Sequence, residues 1–184
     1  ARLDAGRELR REEVDLVGLL VDTVADARAA GPEHDWQLDL AVLEPPAGAT
    51  AEEAEDFLPE PPLVIGDEAR LRQVVVNLLA NARVHTPAGS HVTTTLVREG
   101  DTLIVRIHDD GPGIAPDVRD RLFERFARGD SSRERRTGST GLGMSIALAI
   151  VQSHGGSIDV DSSTASEDHG TTFTVRLPAA VVEE

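Results

Sequence analysis

Four short motifs, each beside a segment with a regular apolar or polar pattern, constrain the fold of this chain. NLLANA (77–82) continues a helical pattern, and DDGPGI (109–114) begins at the end of the strand-like segment LIVRIHD. LFERFARGD (122–130) leads into a polar stretch, and GSTGLGM (138–144) leads into a strongly apolar helical pattern. Helical patterns, a strand pattern and glycine-rich turns within about seventy residues predict a mixed α+β domain.

The periodicity of the rest of the chain predicts the order of the elements. Asp15 is expected to cap a helix that Gly31-Pro32 ends, and Asp67 to cap a helix that runs to about His85. Strands are expected at 36–42, 63–65, 91–98, 102–109, 157–161 and 171–177, and further helices at 116–122 and 141–154. Loops are expected at 127–140 and 162–170, and 44–62 is expected to be a solvated loop or a disordered insert. This order predicts a mixed sheet with helices packed on one face.

The asparagines of the first motif lie on one face of the predicted helix. Gln73, Asn77 and Asn81 fall within about 80° of one another, and the apolar side chains centre on a different side. Mg²⁺ prefers oxygen ligands and needs few protein contacts when phosphates are present. Asn77 and Asn81 are therefore candidate metal ligands. The alternative is that two asparagines four residues apart simply face solvent.

The second motif supplies a carboxylate and two glycines at the end of a strand. An ionised Asp109 only accepts hydrogen bonds, so it can hold the exocyclic amine of adenine and would repel the carbonyl of guanine. Gly111 and Gly113 allow the backbone to approach a flat base. The alternative is an ordinary Asp-Gly turn, which is a common structure.

The third and fourth motifs predict a lid and a phosphate site. Glycines before a helix free its first amide groups for phosphate, with help from the helix dipole. Phe123 and Phe126 would dock the lid, and one or two arginines beyond them would reach the triphosphate. The alternatives are a flexible linker, plain aromatic packing and solvated surface charge. The four motifs together predict ATP binding.

Composition excludes several other classes of protein. The net charge of −15 argues against nucleic acid as a partner, because nucleic acid is a polyanion. The chain has no Lys and no Cys, which excludes a P-loop, disulfides and thiolate metal sites. No apolar segment approaches the ~20 residues that span a bilayer. The chain starts without Met, and we expect it to be a fragment.

The four motifs resemble the N box, first glycine box, F box and second glycine box of the ATP-binding catalytic domain of bacterial sensor histidine kinases. These belong to the superfamily of DNA gyrase, mismatch-repair ATPases and heat-shock chaperones. The resemblance implies a two-layer α/β sandwich, the Bergerat fold, with a mixed, mostly antiparallel sheet and helices on one face. It implies that residues 1–15 end a dimerisation helix and its linker, and that 16–184 form the catalytic domain.

The resemblance also implies the chemistry of the site and the partners. ATP and Mg²⁺ are the expected ligands, with Asn77, Asn81 and Arg128 in the catalytic role and Asn81 and Asn77 on the metal. The other candidate nucleotide-binding residues are Arg83, Asp109, Gly111, Gly113, Ile114, Phe123, Phe126, Arg133, Arg135, Arg136, Gly138, Ser139, Thr140, Gly141, Leu142, Gly143 and Met144. The expected partners are the protein's own dimerisation and histidine-phosphotransfer domain, a cognate response regulator and a second copy in a homodimer. The domain is expected on the cytoplasmic side of an inner or plasma membrane sensor.

The chain departs from the family pattern in two places. Val84 and His85 stand where the family usually has a basic residue and a tyrosine, and Ser139 stands where a glycine is common. The loss of the basic residue leaves a degenerate, nucleotide-sensing module open as an alternative. A serine kinase of the anti-sigma-factor type uses the same fold and is the other alternative.

Overall fold

The computed structural model describes residues 10–45, 48–124 and 142–181. The first half contains β1 (Glu12–Asp15), α1 (Leu16–Ala30), β2 (Asp35–Asp39), a 3-10 turn at Ala41–Leu43, α2 (Ala51–Glu55), β3 (Leu63–Gly66) and α3 (Glu68–His85). The second half contains β4 (His91–Glu99), β5 (Thr102–Asp109), α4 (Pro116–Arg119), α5 (Gly143–Ser153), β6 (Ser157–Ala165) and β7 (Asp168–Pro178). No helix in the described ranges is long and apolar enough to cross a membrane.

A five-stranded sheet forms one layer of the domain. Its strand order is β2-β4-β5-β7-β6. The β2–β4 pair is parallel, and the other three pairs are antiparallel. β1 and β3 form a separate antiparallel pair in which Val14 lies opposite Val64. The predicted α+β class and the mixed, mostly antiparallel sheet are confirmed.

Helices form the second layer, and the core lies between the layers. α1 and α3 bury apolar side chains at three- and four-residue spacing, which is the period that places them on one helix face. Leu20 of α1, Leu78 of α3 and Val151 of α5 are all fully buried in one cluster. The sheet contributes alternate residues to the same cluster: Val92, Leu96, Leu103, Val105, Ile107, Phe173, Val175 and Leu177. Helices therefore cover one face of the sheet, as predicted.

Aspartates begin both long helices as predicted. The Asp15 carboxylate accepts from the Val17 N–H at 2.9 Å, and the Asp67 carboxylate accepts from the Arg70 N–H at 3.2 Å. Each of these bonds satisfies an amide that has no partner within its helix. α3 runs to His85, which places Asn77 and Asn81 in its C-terminal half.

The structure differs from the predicted elements in five segments. α4 ends at Arg119 rather than at residue 122. β2 ends at Asp39 rather than at residue 42. The expected loop at 44–62 contains α2, which begins with a capping box between Thr50 and Glu53. The expected loop at 162–170 is mostly strand, because β6 and β7 continue to a tight turn after Ala165. Finally, residues 12–15 form β1, whereas residues 1–9 lie outside the described ranges.

Candidate nucleotide-binding site

Asp109 is the buried carboxylate of the site. It is the last residue of β5, and only 5% of its surface is exposed. Burial raises the pKa of Asp109, and the backbone N–H of Gly111 opposes that rise. One carboxylate oxygen, Oδ1, accepts from this N–H at 3.0 Å. The arrangement fixes the orientation of the carboxylate and leaves Oδ2 as the acceptor for a ligand donor.

Asp110, the adjacent carboxylate, has a different role. Its Oδ1 accepts from the backbone N–H of His91 at 2.9 Å, and its own N–H donates to the His91 carbonyl at 3.2 Å. Asp110 therefore ties the start of the loop to β4. The side chain of Asp109 is the one that is buried at the strand end, in agreement with its selection from the sequence.

Close packing explains both glycines of this loop. Gly113 has φ of 76°, a backbone conformation that favours glycine, and a Cβ there would overlap the Ser163 carbonyl oxygen. Gly111 is buried, and a Cβ there would overlap the Thr86 methyl group and lie 2.8 Å from Asp109 Oδ1. The loop 110–114 therefore passes between the end of α3 and the β6–β7 hairpin. We refer to 110–114 as the base loop.

Asn77 connects α3 to the start of α5. Its side-chain nitrogen donates to the Gly143 carbonyl at 3.1 Å, so its carbonyl oxygen remains available as an acceptor or metal ligand. Asn81 is half-buried one turn further along the same face. Within the described ranges its side chain makes no hydrogen bond. Two amide oxygens on one helix face fit a hard cation such as Mg²⁺.

The apolar candidates support the site through packing. Met144 is buried in the core, and Ile114 and Phe123 pack against the core while half-buried. Leu142 is the N-cap residue of α5 and has no side-chain capping bond. The helix therefore begins at Gly143 with amides that an anionic group can bind.

Arg83 lies away from Asn77 and Asn81. It is exposed, and its aliphatic stem packs at Gly31, where a Cβ would be 2.7 Å from Arg83 Cδ. It follows Asn81 by two residues, so it points to another side of α3. The structure thus gives Arg83 a packing contact with the end of α1. Nine further candidates lie outside the described residues: Phe126, Arg128, Arg133, Arg135, Arg136, Gly138, Ser139, Thr140 and Gly141.

Several polar side chains around the base loop were not singled out from the sequence. The Ile114 N–H donates to Ser162 Oγ at 2.8 Å, and His169 Nδ1 donates to the Gly111 carbonyl at 2.8 Å. The Thr86 hydroxyl donates to the Ala82 carbonyl at 2.8 Å, and His34 Nε2 lies 2.9 Å from the same oxygen. Ser162 and His169 were missed because their segment was interpreted as a loop. Recognition of 162–170 as a hairpin would have placed them beside the end of β5.

Comparison with known proteins places the chain in a family. Residues 66–181 match the family described as histidine kinase-, DNA gyrase B-, and HSP90-like ATPase. The probable sensor histidine kinase TcrY of Mycobacterium tuberculosis is 49% identical over 178 residues, which cover 97% of this chain and 33% of the relative. The sensor histidine kinase TrcS of the same organism is 38% identical, with 97% and 32% covered. The chain thus spans about a third of the length of these relatives.

Solved structures agree in fold. The mycobacterial sensor histidine kinase MprB has a TM-score of 0.73 and 29% identity, over 91% of this chain and 98% of that one. Full-length ShkA, solved in complex with AMPPNP, has a TM-score of 0.73 and 26% identity, over 98% of this chain and 33% of that one. These matches confirm the predicted sandwich and the resemblance to the catalytic domains of sensor histidine kinases. The chain belongs to the histidine kinase-, DNA gyrase B- and HSP90-like ATPase family, and within it to the ATP-binding catalytic domains of sensor histidine kinases.

Proposed function

We propose that this domain holds Mg-ATP with its γ-phosphoryl group facing a histidine on a separate helical dimerisation domain of the same protein. The whole protein would then act as an ATP:histidine phosphotransferase. The observation that carries the proposal is the pairing of Asp109 with Gly111. It provides a buried carboxylate of fixed orientation at the end of β5. The adjacent base loop has glycine at positions 111 and 113, so its backbone is open to a base.

Asp109 would select the base. Its Oδ2 accepts the exocyclic amine of adenine and repels the guanine carbonyl in the same position. Burial strengthens that discrimination, because charge–dipole interactions are less screened away from water. The Gly111 N–H keeps Oδ1 occupied, so a bound base meets one oxygen in a fixed place.

Asn77 and Asn81 would hold the metal through their amide oxygens, and the first amides of α5 would bind phosphate. Mg²⁺ supplies charge neutralisation for the triphosphate. Phosphoryl transfer needs alignment and charge stabilisation more than covalent participation by the protein. Asn77 would link the metal site to the phosphate site. Its side-chain nitrogen donates to the carbonyl of Gly143 at the start of α5, while its side-chain oxygen stays available for the metal. The lid arginines Arg128, Arg133, Arg135 and Arg136 would add positive charge from residues outside the described ranges.

The relatives support this assignment of activity. TcrY and TrcS are named as sensor histidine kinases, and ShkA was solved with the ATP analogue AMPPNP. We also propose that the phosphohistidine passes its phosphoryl group to a cognate response regulator and that the whole protein is a homodimer. We further propose that residues 1–15 connect to the dimerisation helices. The domain would then lie on the cytoplasmic side of a membrane sensor.

Calorimetric titration tests the binding step. We expect ATP to bind more tightly with Mg²⁺ than with EDTA, and GTP to bind at least about tenfold more weakly than ATP, because the carboxylate would face a carbonyl oxygen. Asp109→Asn should weaken ATP binding by a similar factor. Absence of ATP binding under all these conditions would support a degenerate module instead.

Phosphotransfer to an added helical domain tests the catalytic step. The chain is mixed with [γ-³²P]ATP and the helical hairpin that precedes it in the whole protein, and phosphohistidine is measured by its acid lability. The control is the same hairpin with its acceptor histidine replaced by glutamine. Acid-stable phosphoserine on an added protein that antagonises anti-sigma factors, with no label on the hairpin, would favour the serine kinase alternative.

A further inference from the structure

We infer that the β6–β7 hairpin holds the base loop in the conformation that binds adenine, with Ser162 and His169 as the positioning residues. The inference rests on the proposed role of Asp109 and adds to it the side chains that orient this loop. The hairpin extends past the sheet. Asp109, the last residue of β5, lies opposite Thr171, whereas β7 begins at Asp168. Residues 168–170 of β7 therefore project beyond the end of β5.

The base loop crosses the hairpin from one arm to the other, at this projecting part and at its base, where Ser162 lies opposite Thr171. On the β7 arm, His169 Nδ1 donates to the Gly111 carbonyl at 2.8 Å. On the β6 arm, Ser162 Oγ accepts from the Ile114 N–H at 2.8 Å. Between these two bonds, Gly113 packs directly on the Ser163 carbonyl. Three consecutive contacts along the loop are thus made by one hairpin.

The contacts continue to the carboxylate. Gly111 is hydrogen-bonded at both its groups, because its carbonyl accepts from His169 and its N–H donates to Asp109 Oδ1. Ser162 Oγ also lies 2.9 Å from the Gly170 carbonyl and 2.9 Å from Thr171 Oγ1. A Cβ at Gly170 would be 2.5 Å from the Asp109 carbonyl. The hairpin therefore fixes the residues on both sides of the Asp109 side chain.

Removal of these bonds should release the base loop without unfolding the domain. Ser162 and His169 lie outside the apolar core, so their loss leaves the packing between helices and sheet intact. An Ile114 N–H or Gly111 carbonyl without its protein partner would form a hydrogen bond with water instead. The base loop would then occupy the binding conformation for a smaller fraction of the time. The cost would appear in nucleotide affinity, because binding must then reorder the loop.

The test measures nucleotide affinity and thermal stability in the same variants. For Ser162→Ala we expect about tenfold weaker binding of both ATP and adenosine at 25 °C, since a lost bond with an unsatisfied partner has this effect. Ser157→Ala removes the same hydroxyl from the same strand at the end far from the loop, and it should change affinity less than about twofold. A fall in melting temperature with unchanged affinity for ATP and adenosine would overturn the inference.

His169 permits a test by rescue. His169→Ala should weaken binding of ATP and adenosine. His169→Asn should restore most of it, because the asparagine nitrogen occupies the place of Nδ1, whereas His169→Gln extends its nitrogen to the place of Nε2. Equal affinities in these three variants would contradict the role of the Gly111 contact.

Hydrogen exchange separates this inference from the proposed function. In the nucleotide-free chain, Ser162→Ala should speed exchange of the Ile114 amide several-fold, and Ser157→Ala should not. Unchanged exchange at Ile114 would overturn the positioning role even if ATP binds. A wild-type chain that binds no adenine nucleotide would instead refute the proposed function, and the exchange result would still decide whether the hairpin holds the loop.

Discussion

The side-chain nitrogen of Asn77 donates a hydrogen bond to the Gly143 carbonyl at 3.1 Å. This bond joins the face of α3 that carries the proposed metal ligands to Gly143, the first residue of α5, whose amides we propose bind phosphate. The two halves of the proposed site are thus directly connected. A change at Asn77 should therefore affect both the fold and ligand binding.

Asn77→Asp tests this connection. The substitution replaces the donor by an oxygen that faces the Gly143 carbonyl, and it should reduce the free energy of unfolding by about 1–2 kcal/mol without nucleotide. Urea denaturation measures the loss. Asn81→Asp is the matched control on the same helix face, and it should change stability by less than about 0.5 kcal/mol. Equal losses in both variants would show that the Asn77–Gly143 bond contributes nothing specific.

Asp109→Asn should stabilise the nucleotide-free domain at neutral pH while it weakens ATP binding. Burial raises the pKa of Asp109, so the folded state retains the proton at pH values where the unfolded state has lost it. As pH rises from the usual carboxyl pKa through the raised one, ionisation increasingly favours unfolding, and the full penalty applies above the raised pKa. Asparagine cannot ionise and avoids this penalty.

Thermal unfolding as a function of pH measures the effect. The variant should melt a few degrees above wild type at neutral pH, and the difference should shrink as pH falls through the raised pKa toward the usual carboxyl value. A variant that melts below wild type at neutral pH would mean that the ionised carboxylate is compensated in the free domain. ATP affinity of the wild type should fall over the same acidic window, because a protonated carboxyl is a weaker acceptor.

Local signals in the sequence were sufficient for most of the architecture. The bounds of α3 and of the β4–β5 hairpin were predicted within a residue or two, because caps, apolar period and turn residues lie in the elements themselves. The pairing of β1 with β3 was not predicted. It joins residues 12–15 to 63–66, and such short strands form through partners that are distant in sequence rather than through local propensity.

The site was predicted less completely than the fold, and the reason is physical. Asp109, Gly111 and Asn77 have recognisable residue types in short motifs. Ser162 and His169 act through single hydrogen bonds to backbone groups. Ser162 lies level with the last residue of β5 and His169 lies beyond it, where the segment is polar, so no apolar alternation identifies that segment as strand. α2 did carry a local signal, the capping box of Thr50 and Glu53, but the proline-rich, acidic composition around it predicted a loop.

Gly113→Ala should weaken nucleotide binding by at least about tenfold, because it displaces the base loop. The new Cβ would overlap the Ser163 carbonyl, and φ of 76° is unfavourable for alanine. Gly100→Ala is the matched control, because Gly100 has φ of 57° and nothing within 4 Å of the added Cβ. The control should lose about 1–2 kcal/mol of stability from backbone strain alone and retain ATP affinity.

Comparison of the two glycine variants by calorimetry and urea denaturation separates strain from steric overlap. The loss in Gly113→Ala should exceed that in the control, and ATP affinity should fall by at least about tenfold in the molecules that remain folded. Equal stabilities and equal affinities would show that the base loop can move away from Ser163 without consequence.

Replacement of His154 should lower the free energy of unfolding and leave ATP affinity unchanged, in contrast to replacement of Gly113. Its Nε2 accepts from the Asp67 N–H at 3.0 Å, and its Nδ1 donates to the Ile150 carbonyl at 2.7 Å. The ring thus joins the end of α5 to the N-cap residue of α3, at the end of α5 away from Gly143. His154→Ala should cost about 2 kcal/mol, because the half-buried Asp67 N–H loses its acceptor.

His154→Gln should recover part of this loss, since its terminal oxygen can replace Nε2 as the acceptor for Asp67. Urea denaturation gives the stability of the two variants, and calorimetry at 25 °C gives their ATP affinity, which should stay within about twofold of wild type. A large loss of ATP affinity in a fully folded His154→Ala variant would contradict this prediction. It would show that a change where α5 meets the N-terminus of α3 alters the position of Asn77 at the other end of α5.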